Sequence, residues 1–243
     1  MSNTNSAKQW TSAEFEKQFL SGIAIDTVIF GFHEGRLKVL LLQYKNTNDH
    51  ALPGGFIKKT EDLDQAAKRS LKERTGLKDI YLQQFQTFGS MQRADKSFAR
   101  IMKARGMKPE KDHFLLRRFI SVGYYALVDI NKVVPKKDDL AVDCSWHELE
   151  KIPPLIQDHR IIIMSALDRL RKDLDEQLAA FNLMPETFTM GELQLVYETI
   201  LDKPILRTSF QRKILALDIL KKVAVRMTGA AHKAPFVYKF KLK

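Results

Sequence analysis

Two carboxylates, two guanidiniums and a hydroxyl follow a Pro-Gly-Gly turn at short range. Leu52-Pro53-Gly54-Gly55-Phe56 leads to Glu61 with five residues between it and Gly55, to Arg69 after seven more intervening residues, and then to Ser70-Leu71-Lys72-Glu73-Arg74-Thr75-Gly76-Leu77. Side chains three and four apart share one helix face, so Ser70, Glu73 and Arg74 would point together. A cluster of carboxylates in that place would offer the hard oxygen ligands that a magnesium ion takes. Here only Glu73 is a carboxylate, and one carboxylate makes a poor magnesium site unless substrate phosphates supply the remaining ligands. The Ser70 hydroxyl is a weak ligand, and Arg74 puts a positive charge beside the place a metal would take. Arg74 and Arg118 suit a phosphate instead.

The spacing resembles the Nudix box, in which Gly, five residues, Glu and seven residues precede an Arg-Glu-apolar-x-Glu-Glu-x-Gly-apolar run. Gly55, Glu61, Arg69, Leu71, Glu73, Gly76 and Leu77 match it, whereas Ser70 and Arg74 stand at two of its Glu positions. The resemblance implies that Glu61 and Arg69 tie the loop to the helix, and that the box keeps its shape without its metal chemistry. It implies no catalytic residue, no metal ligand and no required cofactor, with a weak magnesium contact at Glu73 the most that is left. Glu61, Arg69, Glu73, Arg74 and Arg118 are then the expected ligand-binding residues.

The elements that must position these residues follow from local pattern. Thr11 and Glu14 form a capping-box signal for a short helix through Phe15, Phe19 and Leu20, broken at Gly22. The β-branched run Ile23 to Gly31, a turn at His33 to Arg36 and a second run from Leu37 to Tyr44 predict a hairpin that leads into the Gly-Gly loop. A helix is expected over Leu63 to Thr75, stopped by Gly76. Further strands are expected over Ile80 to Phe88 and Phe119 to Asp129. Between them Gln92 to Arg118 holds nine basic and three acidic residues, with a possible helix at Phe98 to Ala104, and reads as a mobile surface insertion. Trp146 and His159 read as core and capping residues. From Ile156 to Phe181, Ile161, Met164, Leu167, Leu170, Leu174 and Leu178 define one amphipathic helix.

Charge divides the chain. Of the net +11, the 41 residues from Lys203 to Lys243 carry +10, with eleven Lys or Arg against the single acid Asp218. Thr189 and Glu192 box the start of a helix reaching Leu201, Asp202-Lys203-Pro204 turns the chain, and a second helix is expected from Thr208 to Lys222, burying Phe210, Ile214 and Leu217. Strands at Val223 to Met227 and Phe236 to Leu242 complete the order of a winged helix-turn-helix, whose second helix enters the major groove while the wing follows the backbone. Arg207, Ser209, Gln211, Arg212, Lys213, Arg226, His232 and Lys233 are the expected DNA contacts. This end, together with Arg118-Phe119-Ile120-Ser121-Val122-Gly123-Tyr124-Tyr125-Ala126-Leu127 and Asp158-His159, resembles the Nudix-related transcriptional regulators, the family of the NAD-metabolism and arabinose repressors.

The single Cys144 excludes an intrachain disulfide and suits a reducing cytoplasm. No run of eighteen apolar residues predicts a membrane span. The fold class expected is an α/β (α+β) Nudix fold, a mixed β-sheet between helices, with a smaller C-terminal winged helix-turn-helix domain. The expected divisions are an N-terminal helical extension (1–21), a Nudix-like sensing domain (22–165, with the insertion at 92–118), a connecting helix (166–182) and the DNA-binding domain (183–243). The expected function is a DNA-binding regulator, acting as a repressor. Its partners would be operator DNA, a small effector (a sugar, a sugar phosphate or an ADP-ribose-like nucleotide) and a second copy of the chain, since bacterial winged helices read paired half-sites. The alternative is a magnesium-dependent hydrolase of nucleoside diphosphate derivatives; a plain interaction module is a third.

Overall fold

The computed structural model describes residues 11–77, 80–93, 95–137, 141–176, 182–226 and 234–241. Thr11 caps the first helix, α1 (Ser12–Gln18), through the reciprocal box with Glu14. The chain then passes straight into β1 (Phe19–His33), so the strand starts at Phe19 and the expected break at Gly22 does not occur. Phe15 and Phe19 both pack on Phe56, each at 5.8 Å between ring centroids, and this packing draws the two elements together without a loop. After β2 (Arg36–Tyr44), β3 (His50–Ala51) and β4 (Gly54–Lys58) comes α2 (Leu63–Thr75), with the bounds its pattern predicts. Asp62 and Gln65 box its start, and Gly76 ends it in the left-handed conformation that favours glycine. Then follow β5 (Tyr81–Phe88), α3 (Ser97–Ala104), β6 (Ile120–Val128), β7 (Ala141–Glu148) and α4 (His159–Glu176). The seven strands form one mixed sheet in which β1 runs parallel to β6 and its other pairings are antiparallel.

The segment 92–118 corrects the expectation of a mobile surface insertion. Ile101, Met102, Phe114 and Leu115 are buried, and Phe114 stacks on Phe15 at 5.2 Å. The Ser12 hydroxyl accepts the Phe114 N–H, and Arg117 donates to Glu16, so the segment and α1 form one aromatic layer over the sheet. Of the basic residues that suggested solvation, Lys96, Arg100, Lys103, Lys108, Lys111 and Arg118 are exposed, whereas Arg93 is buried. Basic charge and a buried aromatic stripe coexist because they point opposite ways.

Helix α4 keeps Leu167, Leu170 and Leu174 of its expected stripe in the core but differs in its first turns. Ile162, Ile163, Ala166, Leu167, Leu170 and Leu174 are buried, whereas Ile161 and Met164 are exposed; Leu178 lies outside the described residues. Those turns differ because the start of the helix is anchored by the buried side chains of Asp158 and His159. Below it, Tyr125 donates to Asp173 Oδ2 at 2.7 Å, and Arg169 Nε donates to the same oxygen at 2.8 Å.

The C-terminal part comprises β8 (Phe188–Thr189), α5 (Met190–Leu201), α6 (Arg207–Ala216), β9 (Leu220–Val225) and β10 (Phe236–Phe240), with a sheet ordered β8-β10-β9. Helix α6 ends six residues short of the predicted Lys222, and Leu217 is exposed. Asp218 takes a left-handed backbone and Leu220 pairs with Phe240, so strand pairing overrides helical propensity there. The α4 helix binds this part to the sheet. Arg171 Nε donates to the Ile200 carbonyl at 2.8 Å, Tyr197 Oη to the Leu174 carbonyl at 3.3 Å, and the Thr199 hydroxyl to the Gly35 carbonyl at 3.2 Å. One apolar core runs from Phe30 and Leu37 through Leu167 and Leu170 to Leu193, Val196 and Ile214.

Replacing Tyr125 by Phe leaves the buried Asp173 carboxylate short of a donor, and should lower unfolding free energy by about 1–3 kcal/mol in urea titrations.

Candidate ligand site and nucleic-acid interface

A cavity of about 370 Å³ opens beside the Gly54-Gly55 turn, walled by α1, β1, β4, α2, the 92–118 segment and the start of α4. Phe15, Phe19, Phe56 and Phe119 line one part; Tyr44 and Phe98, 6.3 Å apart, line another. Arg69, Glu73 and Arg74 enter from α2, and Asp26, Arg93, Gln157 and His159 supply further polar groups.

The predicted box residues divide between scaffold and wall. Glu61 accepts Arg69 Nη2 at 2.7 Å and Nε at 2.9 Å, and the Lys58 N–H at 2.8 Å. Arg69 Nη2 also donates to the Phe56 carbonyl at 3.0 Å, which straps the loop to the helix. Those Arg69 hydrogen bonds, against the opposing effect of burial, hold the Glu61 carboxyl below its ordinary pKa. Glu61 itself is not among the wall residues. Ser70 is buried and donates to the Gly54 carbonyl at 3.3 Å, while Glu73 lies 3.4 Å from Arg69. These residues do not fit a magnesium site: the hydroxyl is committed to a carbonyl, the carboxylate faces a guanidinium, and Arg74 occupies the wall. Among the described residues no group of three His, Cys, Asp or Glu could hold a metal ion. Arg118 is not brought to the cavity; it is exposed and contacts Met91.

The polar floor is the part that sequence reading missed. Arg93 is almost wholly buried, donating through Nη2 to Asp26 Oδ2 at 3.0 Å, through Nη1 to Asp158 and through Nε to the Phe119 carbonyl at 3.0 Å. Ser121 Oγ donates to Asp26 Oδ2 at 2.6 Å. The Leu52 N–H donates to His159 Nδ1 at 3.0 Å, which leaves the imidazole proton on Nε2, 3.5 Å from Asp26 Oδ1. His159, expected as a capping residue, is thus also a wall residue. Burial pushes its pKa below the ordinary imidazole value, against the upward pull of Asp26. Burial alone would raise the Asp26 carboxyl, but His159, Arg93 and Ser121 outweigh it and hold it below the ordinary value. Because His159 is kept neutral by its acceptor role, Arg93 and Ser121 are the partners that keep Asp26 ionised. A signal was available in the sequence: Asp26 is the single charged residue in the run Ile23 to Gly31, where an unpaired carboxylate would be costly.

In the C-terminal part, Phe210 and Ile214 of α6 are buried, with Phe210 set edge-on to Tyr197 at 5.1 Å. Arg207, Ser209, Gln211, Arg212 and Lys213 are exposed on the remaining surface of the helix. Arg226, at the end of β9, is exposed and pairs with Glu192 at 2.6 Å. His232 and Lys233 lie outside the described residues.

Sheet, box and helix-wing order together define a Nudix domain joined to a winged helix domain. Residues 21–166 match the NUDIX domain and residues 180–240 match the NrtR DNA-binding winged helix domain. The chain belongs to the Nudix family and carries a C-terminal winged helix domain of the NrtR kind. It is 26% identical over 226 residues to the ADPR responsive transcriptional repressor NtrR of Acinetobacter baylyi, spanning 89% of this chain and 82% of the relative. The crystal structure of Shewanella oneidensis NrtR complexed with a 27mer DNA superposes with a TM-score of 0.68 at 29% identity, covering 90% of this chain and 93% of that one. A second crystal structure of Shewanella oneidensis NrtR superposes with a TM-score of 0.69 at 28% identity, covering 91% of this chain and 94% of that one. No helix among the described residues is long and apolar enough to cross a membrane.

The buried imidazole carries a pH dependence. The unfolded chain binds a proton near pH 6.5 and the folded chain only at lower pH, so this contribution to stability is complete above about pH 6.5 and declines as pH falls below it. His147, whose pKa burial also lowers, adds a decline of the same sign. Melting temperature should therefore fall between pH 7 and pH 5, and fall less steeply for His159→Gln, whose amide oxygen can still accept the Leu52 N–H.

Proposed function

We propose that this chain is a transcriptional repressor that binds operator DNA through α6 and the wing, and releases it when an ADP-ribose-type nucleotide fills the Nudix cavity. One observation carries the reading. Helix α4 begins with His159 in the cavity wall and ends clasped to α5 through Arg171, Leu174 and Tyr197, so cavity and DNA-binding domain share one rigid element.

Three effector classes are open from the sequence, and the cavity favours one. Its aromatic walls suit a planar base and its guanidiniums suit phosphate. A free pentose would use neither, and a sugar phosphate would leave the aromatic surfaces idle. The response of the A. baylyi relative to ADPR agrees with a nucleotide. The box, with Ser70 and Arg74 in place of carboxylates, acts in recognition without magnesium-dependent hydrolysis. The repressor works in the cytoplasm as a homodimer on paired half-sites, because two recognition helices set one helical turn apart lose register when α4 tilts.

The test is fluorescence anisotropy on operator DNA selected from a random pool. ADP-ribose should weaken DNA binding by about 5–150-fold, Arg74→Ala should blunt that effect, and ADP-ribose kept with the protein and millimolar magnesium should be recovered intact. Unchanged DNA affinity at saturating ADP-ribose, or turnover near one per second, would overturn the proposal.

A further inference from the structure

The two oxygens of Asp26 are unequally satisfied. Oδ2 takes Arg93 Nη2 at 3.0 Å and Ser121 Oγ at 2.6 Å. Oδ1 accepts no hydrogen bond within normal geometry from the described residues; His159 Nε2 lies 3.5 Å from it. The side chain is 91% buried, and Asp26 lines the cavity. Oδ1 therefore reaches the cavity with lone pairs open to a donor that arrives from outside the chain.

The surroundings keep room for that partner. A Cβ on Gly54 would stand 3.0 Å from Oδ1 and 2.4 Å from the Ile25 carbonyl, so glycine leaves the space next to the carboxylate clear. The chemistry of the partner follows from charge. Arg93 is shared between Asp26 and Asp158, so Oδ1 keeps negative charge toward the cavity and calls for a donor; a phosphate would be repelled by Oδ1 and is better served by Arg74. The most numerous neutral donors of a nucleotide bearing a ribose are its sugar hydroxyls, which outnumber the base amine.

We propose that Asp26 Oδ1 accepts a hydrogen bond from a ribose hydroxyl of the effector, making Asp26 the residue that reads the sugar while Arg74 and the aromatic walls read phosphate and base. Arg93 and Ser121 hold the carboxylate in place from behind. This rests on the nucleotide reading of the cavity given above.

Titration calorimetry with ADP-ribose and with inorganic diphosphate tests it on the full-length protein. Asp26→Asn should weaken ADP-ribose at least about tenfold, the loss of one charged hydrogen bond, and leave diphosphate unchanged. Ser121→Ala removes a partner of Oδ2 without touching Oδ1, and should weaken ADP-ribose much less; equal losses in the two variants would mean a merely structural carboxylate and overturn the proposal. Wild-type affinity in Asp26→Asn would also overturn it. Should Asp26→Asn fail to give a cooperative melt, dideoxy analogues of each ribose are titrated into the wild type, and parental affinity for both overturns it. If the wild type does not bind ADP-ribose at all, the nucleotide reading fails first, and this assignment with it.

Discussion

Everything around the cavity depends on one guanidinium buried between two carboxylates. Arg93 comes from the 92–118 segment, Asp26 from β1 and Asp158 from the residue before α4, so one side chain joins three parts of the chain. Such a triad has no large net stability to offer, since desolvating three charges cancels much of their attraction. Its geometric effect is strong, because withdrawing any partner strands a buried charge. The pairing sets how deep the aromatic segment sits, where the floor of the cavity lies and at what angle α4 leaves it.

What was legible in the sequence was what local chemistry decides. The bounds of α2 follow from its capping residues and Gly76, and the caps of α1 and α5 follow from Thr11-Glu14 and Thr189-Glu192. The box spacing places Glu61 against Arg69 because a loop and one helix fix both. What was not legible depends on partners far along the chain. Arg93 belongs to a run with nine basic residues, and no local feature separates it from the solvated ones; its partners lie 67 and 65 positions away. Arg118 looked like a phosphate ligand by residue type, yet it precedes β6 on the exposed side. Only the first turns of the α4 stripe were misassigned, because Ile161 and Ile162 are equally apolar and the anchoring of Asp158 and His159 decides which one faces the sheet.

In the proposed reading a catalytic scaffold serves recognition by small changes. Ser70 now ties α2 to the Gly54 carbonyl, so a position that would carry a metal ligand instead stiffens the turn. Arg74 brings fixed positive charge where a dication would otherwise face a diphosphate, and needs no metal to do so. Pre-organised charge of this kind holds a ligand without activating a water, and the binding energy is free to bias α4. The basic C-terminal part, with +10 of the chain's net +11, supplies the attraction for a polyanion, while the neutral first part is left to discriminate small molecules.

The central claim is that cavity and DNA surface are coupled through α4, and coupling free energy is reciprocal. The most direct measurement is therefore the affinity for ADP-ribose by calorimetry, with the protein free and then saturated with operator DNA. The account predicts weaker binding to the DNA-bound protein, by the same factor by which ADP-ribose weakens DNA binding. Equal ADP-ribose affinity in the two states would contradict it.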